Sequence, residues 1–181
     1  MFQRISVIAW FAIICLLVSS TTAFAQNFPS LDKSPADIAS FPKRGSDKTV
    51  KVIYSRPQVK DRKVFGGIVK YDKVWRTGAN EATEITFSKD VKIGGKDIKA
   101  GTYTLFTIPT EDKWTVIINS ELNQWGAYQY SSKKDVIRTE VSFKKTDEMI
   151  ESFSITFDKS AKGATMYLGW EKTIVEIPIE F

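Results

Sequence analysis

Apolar and polar residues alternate along most of the chain after residue 48, with the period of two that is typical of half-buried β-strands. The pattern places Val50, Val52 and Tyr54 on one face of a first strand. Strands are predicted over residues 49–55, 83–88, 91–98, 101–108, 114–119, 136–143, 150–157, 164–170 and 173–179. The run 91–98 contains Gly94-Gly95, a dipeptide that favours a tight hairpin turn in its middle.

No convincing amphipathic helix separates these predicted strands, and the connections between most of them are short and polar. Short strands that follow one another in this way pair antiparallel and bury their apolar faces against a second sheet. The sequence therefore predicts an all-β fold, an antiparallel two-sheet sandwich, with a small closed β-barrel as the alternative.

The N-terminal residues follow a different pattern, that of a cleavable export signal. Arg4 precedes an apolar run over residues 5–18, which is shorter than the roughly 20 residues of a membrane-spanning helix, and Ala23-Phe24-Ala25 provides a cleavage site. We expect residues 1–25 to be removed, residues 26–47 to form an extended lead-in and residues 48–181 to form a single β domain. The mature protein would then be periplasmic or extracellular, with no membrane span.

Removal of the signal changes the chemistry that the chain can offer. It takes away Cys15 and Arg4, so the mature chain has no cysteine or histidine and its formal net charge falls from +5 to +4. Zinc sites of the usual type, haem, iron–sulfur clusters, thiol nucleophiles and Ser-His-Asp triads are excluded. We expect no metal and no cofactor. The mild positive charge by itself argues neither for nor against nucleic acid, and we expect no nucleic-acid partner.

Four segments carry a recognisable motif: Tyr54-Ser-Arg-Pro57, Val74-Trp-Arg-Thr-Gly-Ala-Asn-Glu81, Ala100-Gly-Thr-Tyr-Thr-Leu-Phe-Thr-Ile-Pro109 and Gln124-Trp-Gly-Ala-Tyr128. With these segments the chain resembles a bacterial exported family catalogued as domain of unknown function 2911, over roughly residues 48–145. The resemblance implies a secreted or periplasmic bacterial β protein. It implies no activity, so the function has to be sought in the residues themselves.

The second of these segments is rich in hydrogen-bonding side chains: Trp75, Arg76, Asn80 and Glu81. Loops carried by a rigid sandwich are where binding sites usually lie, and Arg56 in the preceding segment adds a bidentate donor for a carboxylate, phosphate or sugar acid. A structural interpretation stays open. In that interpretation Trp75 fills the core, Asn80 caps a turn and Arg76 forms a partly buried ion pair with Glu81.

The irregular stretch around residue 126 has a similar pair of interpretations. Trp125 and Tyr128 are flat apolar rings with polar edges, which suit the faces of sugar rings. Alternatively, Trp125 closes one end of the sandwich. Arg138 follows this stretch directly and shares a strand face with Glu140, which makes it a further candidate contact for a ligand.

Two functions from different classes follow from these residues. The first is a noncatalytic binding or envelope-associated module that holds a small polar ligand, a glycan or an envelope protein. The second is a carboxylate-dependent hydrolase acting on a glycan or similar polar substrate, with Glu81 and Glu84 or Glu140 as acid and base. Binding is favoured, because the sequence contains no evident nucleophile and no evidently tuned acid and base.

Overall fold

The computed structural model describes residues 26–181, so the predicted export signal lies outside the described residues. The strands are β1 (Ala36–Phe41), β2 (Val50–Ser55), β3 (Glu84–Phe87), β4 (Val91–Ile93), β5 (Lys96–Ile98), β6 (Gly101–Pro109), β7 (Trp114–Asn119), β8 (Asp135–Val141), β9 (Phe143–Ser160) and β10 (Gly163–Glu180). One turn of 3-10 helix, Ser132–Lys134, precedes β8. Within residues 26–181 no helix has the length and apolar character needed to cross a bilayer.

The strands form two antiparallel sheets. The large sheet has the order β1-β2-β3-β6-β7-β8, and the small sheet has the order β5-β4-β10-β9. Within the described part of the chain neither sheet closes into a barrel. This arrangement confirms the predicted all-β, two-sheet antiparallel sandwich.

Two features of the strand pattern differ from the prediction. Strand β1 lies inside the segment 26–47, where the sequence predicts only an extended lead-in. It pairs with β2 alone, none of its residues is fully buried, and its sequence shows little apolar alternation. At the other end of the chain, β9 and β10 are 18 residues each, whereas three shorter strands are predicted. Their pairing shifts in register between Gly169 and Thr173, and this irregularity interrupts the alternation there.

The core lies between the sheets and contains a cluster of five aromatic side chains. Trp75 stacks on Trp170, with ring centroids 5.7 Å apart and planes inclined by 17°. Phe65 and Phe153 meet both of these rings edge to face, with Trp75 5.2 Å from Phe153, and Trp114 meets Trp75 edge to face. Truncation of a buried ring of this size to alanine costs about 3–5 kcal/mol. The cluster therefore accounts for a large part of the stability of a chain whose described residues contain no cysteine.

Polar contacts join the two sheets along the edge where β2 faces β9. The backbone N–H of Ile155 donates to the Tyr54 hydroxyl at 3.0 Å. Burial raises the pKa of Tyr54, so this hydroxyl stays neutral at physiological pH. The Arg56 guanidinium donates to the Phe153 carbonyl at 3.0 Å and to the Ser154 hydroxyl at 2.7 Å. These side chains therefore fix the position of one sheet relative to the other.

On the opposite side of the sandwich, the β4–β5 hairpin lies against β8. The turn residues Gly94 and Gly95 both have positive φ, at 57° and 73°, which confirms the predicted Gly-Gly hairpin. A Cβ atom at Gly94 would overlap the side chain of Thr139, whereas a Cβ atom at Gly95 would meet nothing within 4 Å. Only Gly94 is therefore required by close packing as well as by backbone conformation.

We expect Gly94→Ala to destabilise the fold more than Gly95→Ala. Gly95→Ala adds only the penalty of about 1–2 kcal/mol for an alanine in the left-handed region. Gly94→Ala adds the same penalty and also a clash with Thr139. Urea unfolding of both variants measures the difference. Equal losses in the free energy of unfolding would show that the hairpin does not approach β8 this closely.

Candidate functional site

The signature loop, residues 74–83, is fastened to the large sheet where it begins. The Trp75 N–H donates to the Thr107 carbonyl of β6 at 2.7 Å, and the Thr107 N–H donates back at 3.0 Å. The Trp75 indole is buried in the aromatic cluster, and its Nε1–H donates to the Gly78 carbonyl at 3.1 Å. One tryptophan therefore anchors the loop through its backbone and its side chain.

The middle of the loop has an unusual backbone conformation that buried threonines hold in place. Thr77 is fully buried and has φ 54°, a region that a β-branched residue adopts rarely and at a cost of about 1–3 kcal/mol. Its hydroxyl lies 3.0 Å from that of Thr107, and the Thr83 hydroxyl donates to the Thr77 carbonyl at 2.7 Å. These bonds impose the conformation. Strain of this kind is concentrated at sites where a loop must keep one shape.

The signature loop pairs with the aromatic loop, residues 120–131, to form a short antiparallel ribbon. The Ala82 N–H donates to the Gln124 carbonyl at 2.8 Å, and the Gly126 N–H donates to the Asn80 carbonyl at 3.0 Å. Glu81 therefore stands opposite Trp125. The pairing brings together two of the four sequence motifs.

The aromatic loop is fastened to the outer face of the large sheet. Tyr130 packs edge to face on Phe106, with ring centroids 5.2 Å apart, and its hydroxyl donates to Asp135 at 2.7 Å. The buried Asn119 amide donates to the Ser131 carbonyl at 3.1 Å and to Asp135 at 2.8 Å. Both loops of the ribbon are therefore held by buried contacts at their base.

Two aromatic rings of the ribbon nevertheless stay in solvent: Trp125 is 61% exposed and Tyr128 is 78% exposed. The Arg76 guanidinium carbon lies 5.6 Å from the centroid of the Tyr128 ring, and one of its Nη atoms donates to the Asn80 carbonyl at 2.8 Å. A Cβ atom at Gly126, which has φ 72°, would lie 2.8 Å from the Tyr128 ring and 3.2 Å from Arg76 Cζ. Glycine at this position therefore lets both groups lie against the backbone.

A cavity of about 270 Å³, here called the basic pocket, opens on one side of the ribbon. Three of the residues that line it are cationic, Lys70, Lys73 and Arg76, and its apolar surface includes the Tyr128 ring. Its full lining is Ile68, Val69, Lys70, Lys73, Val74, Trp75, Arg76, Ala127 and Tyr128.

A second cavity of about 320 Å³, here called the acidic cleft, opens on the other side. Glu81 and Glu84 both line it. They share this cleft because β3 begins only at Glu84, so the two residues do not alternate along one regular strand. One carboxylate oxygen of Glu84 accepts the Asn123 N–H at 3.0 Å. The full lining is Ala36, Ile53, Tyr54, Ser55, Glu81, Ala82, Glu84, Asn123 and Gln124.

The structure gathers five of the predicted ligand-binding residues at this ribbon: Trp75, Arg76, Asn80, Trp125 and Tyr128. Glu81 lies there as well, on the side of the acidic cleft. Asn80, with φ 58°, donates its side-chain amide to Asp32 at 3.1 Å. The Ser34 N–H, together with this amide, lowers the pKa of Asp32.

The other predicted candidates lie elsewhere and line neither cavity. Arg56 joins β1 to β9, with a guanidinium–carboxylate distance of 3.0 Å to Asp37 in addition to its bonds across the sheets. Arg138 lies 3.4 Å from Asp135, and Glu140 lies 2.6 Å from Lys113. The Glu140–Lys113 pair is exposed and contributes less than about 1 kcal/mol. In the other pair Asp135 is largely buried, and it also accepts hydrogen bonds from the Tyr130 hydroxyl and the Asn119 amide.

The alternatives left open by the sequence can now be separated. Trp75 does fill the core, as the structural interpretation has it. Among the described residues, however, Arg76 forms no ion pair with Glu81 and binds the Asn80 carbonyl instead. Trp125 closes no end of the sandwich, because more than half of its surface is exposed. The signature loop is therefore structural at its base and open to solvent at its rim.

The sequence motifs do not include Lys70 and Lys73, because these lysines precede the recognisable motif and lie on a turn without strand pattern. Their spacing, two lysines three residues apart immediately before Val74, was the available signal. Across residues 26–181 no group of three or more His, Cys, Asp or Glu side chains is arranged to hold a metal ion.

Comparison with known proteins assigns the chain to a family. A family model described as "Protein of unknown function (DUF2911)" matches residues 34–179, which include β1 and both loops of the ribbon. The chain belongs to this family. No curated protein and no solved structure matches the chain. The family description states no activity.

The anchor of the aromatic loop gives a pH-dependent test. Burial, together with the hydrogen bond to Asp135, raises the pKa of Tyr130 from 10.0 to about 12. A raised pKa means that this group's contribution to stability is complete below pH 10 and is lost as the pH rises through about 12. We expect Tyr130→Phe to lower stability at pH 8, by about 1.5 kcal/mol for a bond to a charged group. We also expect the variant to lose less stability than the wild type between pH 10 and 12.

Tyr128→Phe is the matched control, because its hydroxyl belongs to an exposed ring. Thermal unfolding from pH 8 to 12 compares the three proteins. Parallel curves for the wild type and Tyr130→Phe above pH 10 would contradict the role of the Tyr130–Asp135 bond.

Proposed function

We propose that the chain is made as an exported precursor and that its β domain is a noncatalytic binding module. Its ligand is a small polar molecule, in particular a sugar residue of a glycan, held at the rim of the ribbon. The exposed pair of aromatic rings, Trp125 and Tyr128, carries the proposal.

These two rings are unusual because they lie largely in solvent, so burial does not account for the presence of large aromatic side chains at these positions. Large aromatic side chains contribute to stability mainly when they are buried, whereas exposed rings on a fixed scaffold are typical of ligand contacts. The ribbon bonds at Ala82 and Gly126 hold the backbone beneath them. A rigid platform loses little conformational entropy on binding, which favours affinity.

Arg76 supplies the polar part of the site. One of its Nη atoms donates to Asn80 and its guanidinium lies near the Tyr128 ring, so its plane is fixed before a ligand arrives. The remaining N–H groups form no bond to the described residues. A fixed guanidinium can donate two parallel bonds to a sugar hydroxyl pair or a carboxylate.

A second function, a carboxylate-dependent hydrolase, has one specific observation in its favour. Glu81 and Glu84 line the same acidic cleft. The acid and the base of a glycosidase share one cleft in this way, and in glycosidases in general they lie roughly 5–9.5 Å apart. Binding stays the first proposal because Glu84 already accepts a backbone hydrogen bond from Asn123, which gives this carboxylate a structural role.

The test is a thermal-shift screen of glycans and metabolites, followed by calorimetric titration of the hits. We expect Trp125→Ala and Tyr128→Ala each to weaken binding about tenfold, which corresponds to about 1.4 kcal/mol, with little change in melting temperature. Met149→Ala, which removes a side chain that is 53% exposed on β9, is the control and should bind as the wild type does.

The screen also separates the two functions. Release of sugar from a bound glycan that stops in Glu81→Gln would favour the hydrolase. If no compound shifts the melting temperature of the wild type, or if both aromatic variants bind normally, the proposed binding site is wrong.

A further inference from the structure

We propose that the basic pocket selects an acidic sugar, with the ring of the sugar on Tyr128 and its carboxylate between Lys70, Lys73 and Arg76. This inference rests on the proposed function and narrows its ligand from glycans in general to glycans that contain uronic acid. The juxtaposition that carries it is three cations and one exposed aromatic ring around a single cavity.

The three cations have no carboxylate partner in the described part of the chain. Some lysines elsewhere in the chain form close ion pairs, for example Lys92 with Asp97 at 2.6 Å and Lys144 with Glu176 at 2.6 Å. Lys70, Lys73 and Arg76 take part in none of the ion pairs among residues 26–181. The acidic residue between them in sequence, Asp72, does not line the pocket. The pocket therefore carries an uncompensated positive charge, which attracts anions.

The pocket has the size of a site for one sugar ring. Its volume of about 270 Å³ is close to the lower limit of ligand pockets, which span about 300–1,000 Å³. Ile68, 43% exposed, adds apolar surface beside Tyr128. Trp125 lies exposed on the same ribbon and offers a second ring for a neighbouring sugar of the same chain.

Arg76 distinguishes this pocket from a general cluster of surface lysines. The bond to Asn80 and the Tyr128 ring fix its guanidinium, and Gly126 provides the space in which both groups lie. A fixed fork matches the two oxygens of a carboxylate, whereas a lysine presents a single point charge. The arrangement therefore favours a carboxylate carried on a ring that packs against Tyr128 over an arbitrary anion.

The experiment compares acidic oligosaccharides, oligogalacturonate and oligomannuronate, with their carboxyl-reduced neutral forms. The protein is the full-length chain, expressed with its export segment and purified as the host delivers it. Calorimetry at about 50 mM and 200 mM salt should show at least tenfold tighter binding of one acidic form than of its neutral form, with the preference decreasing at higher salt.

The double variant Lys70→Gln/Lys73→Gln should lose this preference and still bind the neutral form. Arg76→Lys keeps the charge, and should weaken binding of the acidic form because the fork is lost. The matched control, Lys51→Gln/Lys159→Gln, removes two exposed lysines that line neither cavity and should keep the preference.

If the acidic and neutral forms bind equally tightly, or if only a neutral glycan from the screen binds, this inference is wrong. The proposed function as a binding module would be unaffected by either result. Equal binding of a short DNA duplex, or of inorganic phosphate, would show an unselective anion surface and overturn it as well. If no glycan binds, this inference is wrong. If no metabolite of the screen binds either, the proposed function is wrong as well.

Discussion

The buried indole of Trp75 is the constraint on which the rest of the candidate site depends. It lies between the two sheets, stacked on Trp170, while its own backbone pairs with Thr107 of β6. This core residue thus also belongs to the signature loop, near its beginning. Any displacement of this ring would move the loop with it, because interiors are close-packed and transmit shifts.

The loop that leaves Trp75 keeps one shape because its polar groups are used internally. Thr77 is held at positive φ by threonines on either side of it, and Asn80 bonds to Gly126 of the aromatic loop. The ribbon then divides the surface into an acidic and a basic side, with Glu81 on the first and Arg76 on the second. One small structure therefore presents two cavities of opposite charge, a few residues apart.

The architecture was predictable from the sequence because it follows from local patterns. Alternation at Val50, Val52 and Tyr54, and the Gly94-Gly95 turn, depend only on neighbouring residues. Strand β1 is not predicted, because an edge strand buries little apolar surface. The pattern predicts three shorter strands in place of β9 and β10, because a register shift interrupts the alternation.

The site was predictable only in part, for a physical reason. The motifs identify Arg76 and Tyr128. No local pattern predicts, however, that Glu81 and Trp125, 44 positions apart in sequence, will pair, since this depends on the register of β6 and β7. The position of Lys70 at the basic pocket likewise depends on tertiary packing, which no local sequence pattern predicts. Arg56 shows the converse: a residue in a motif, suited to bind a ligand, is used to join two sheets.

The ribbon is preorganised by buried contacts, and native-state hydrogen exchange measures how firmly these contacts hold it. The amides of Ala82, Thr83 and Gly126 donate to carbonyls within the two loops. We expect them to exchange nearly as slowly as the Leu105 amide in the core strand β6. Exchange as fast as that of the exposed Tyr128 would show that the ribbon opens freely, and would contradict the account.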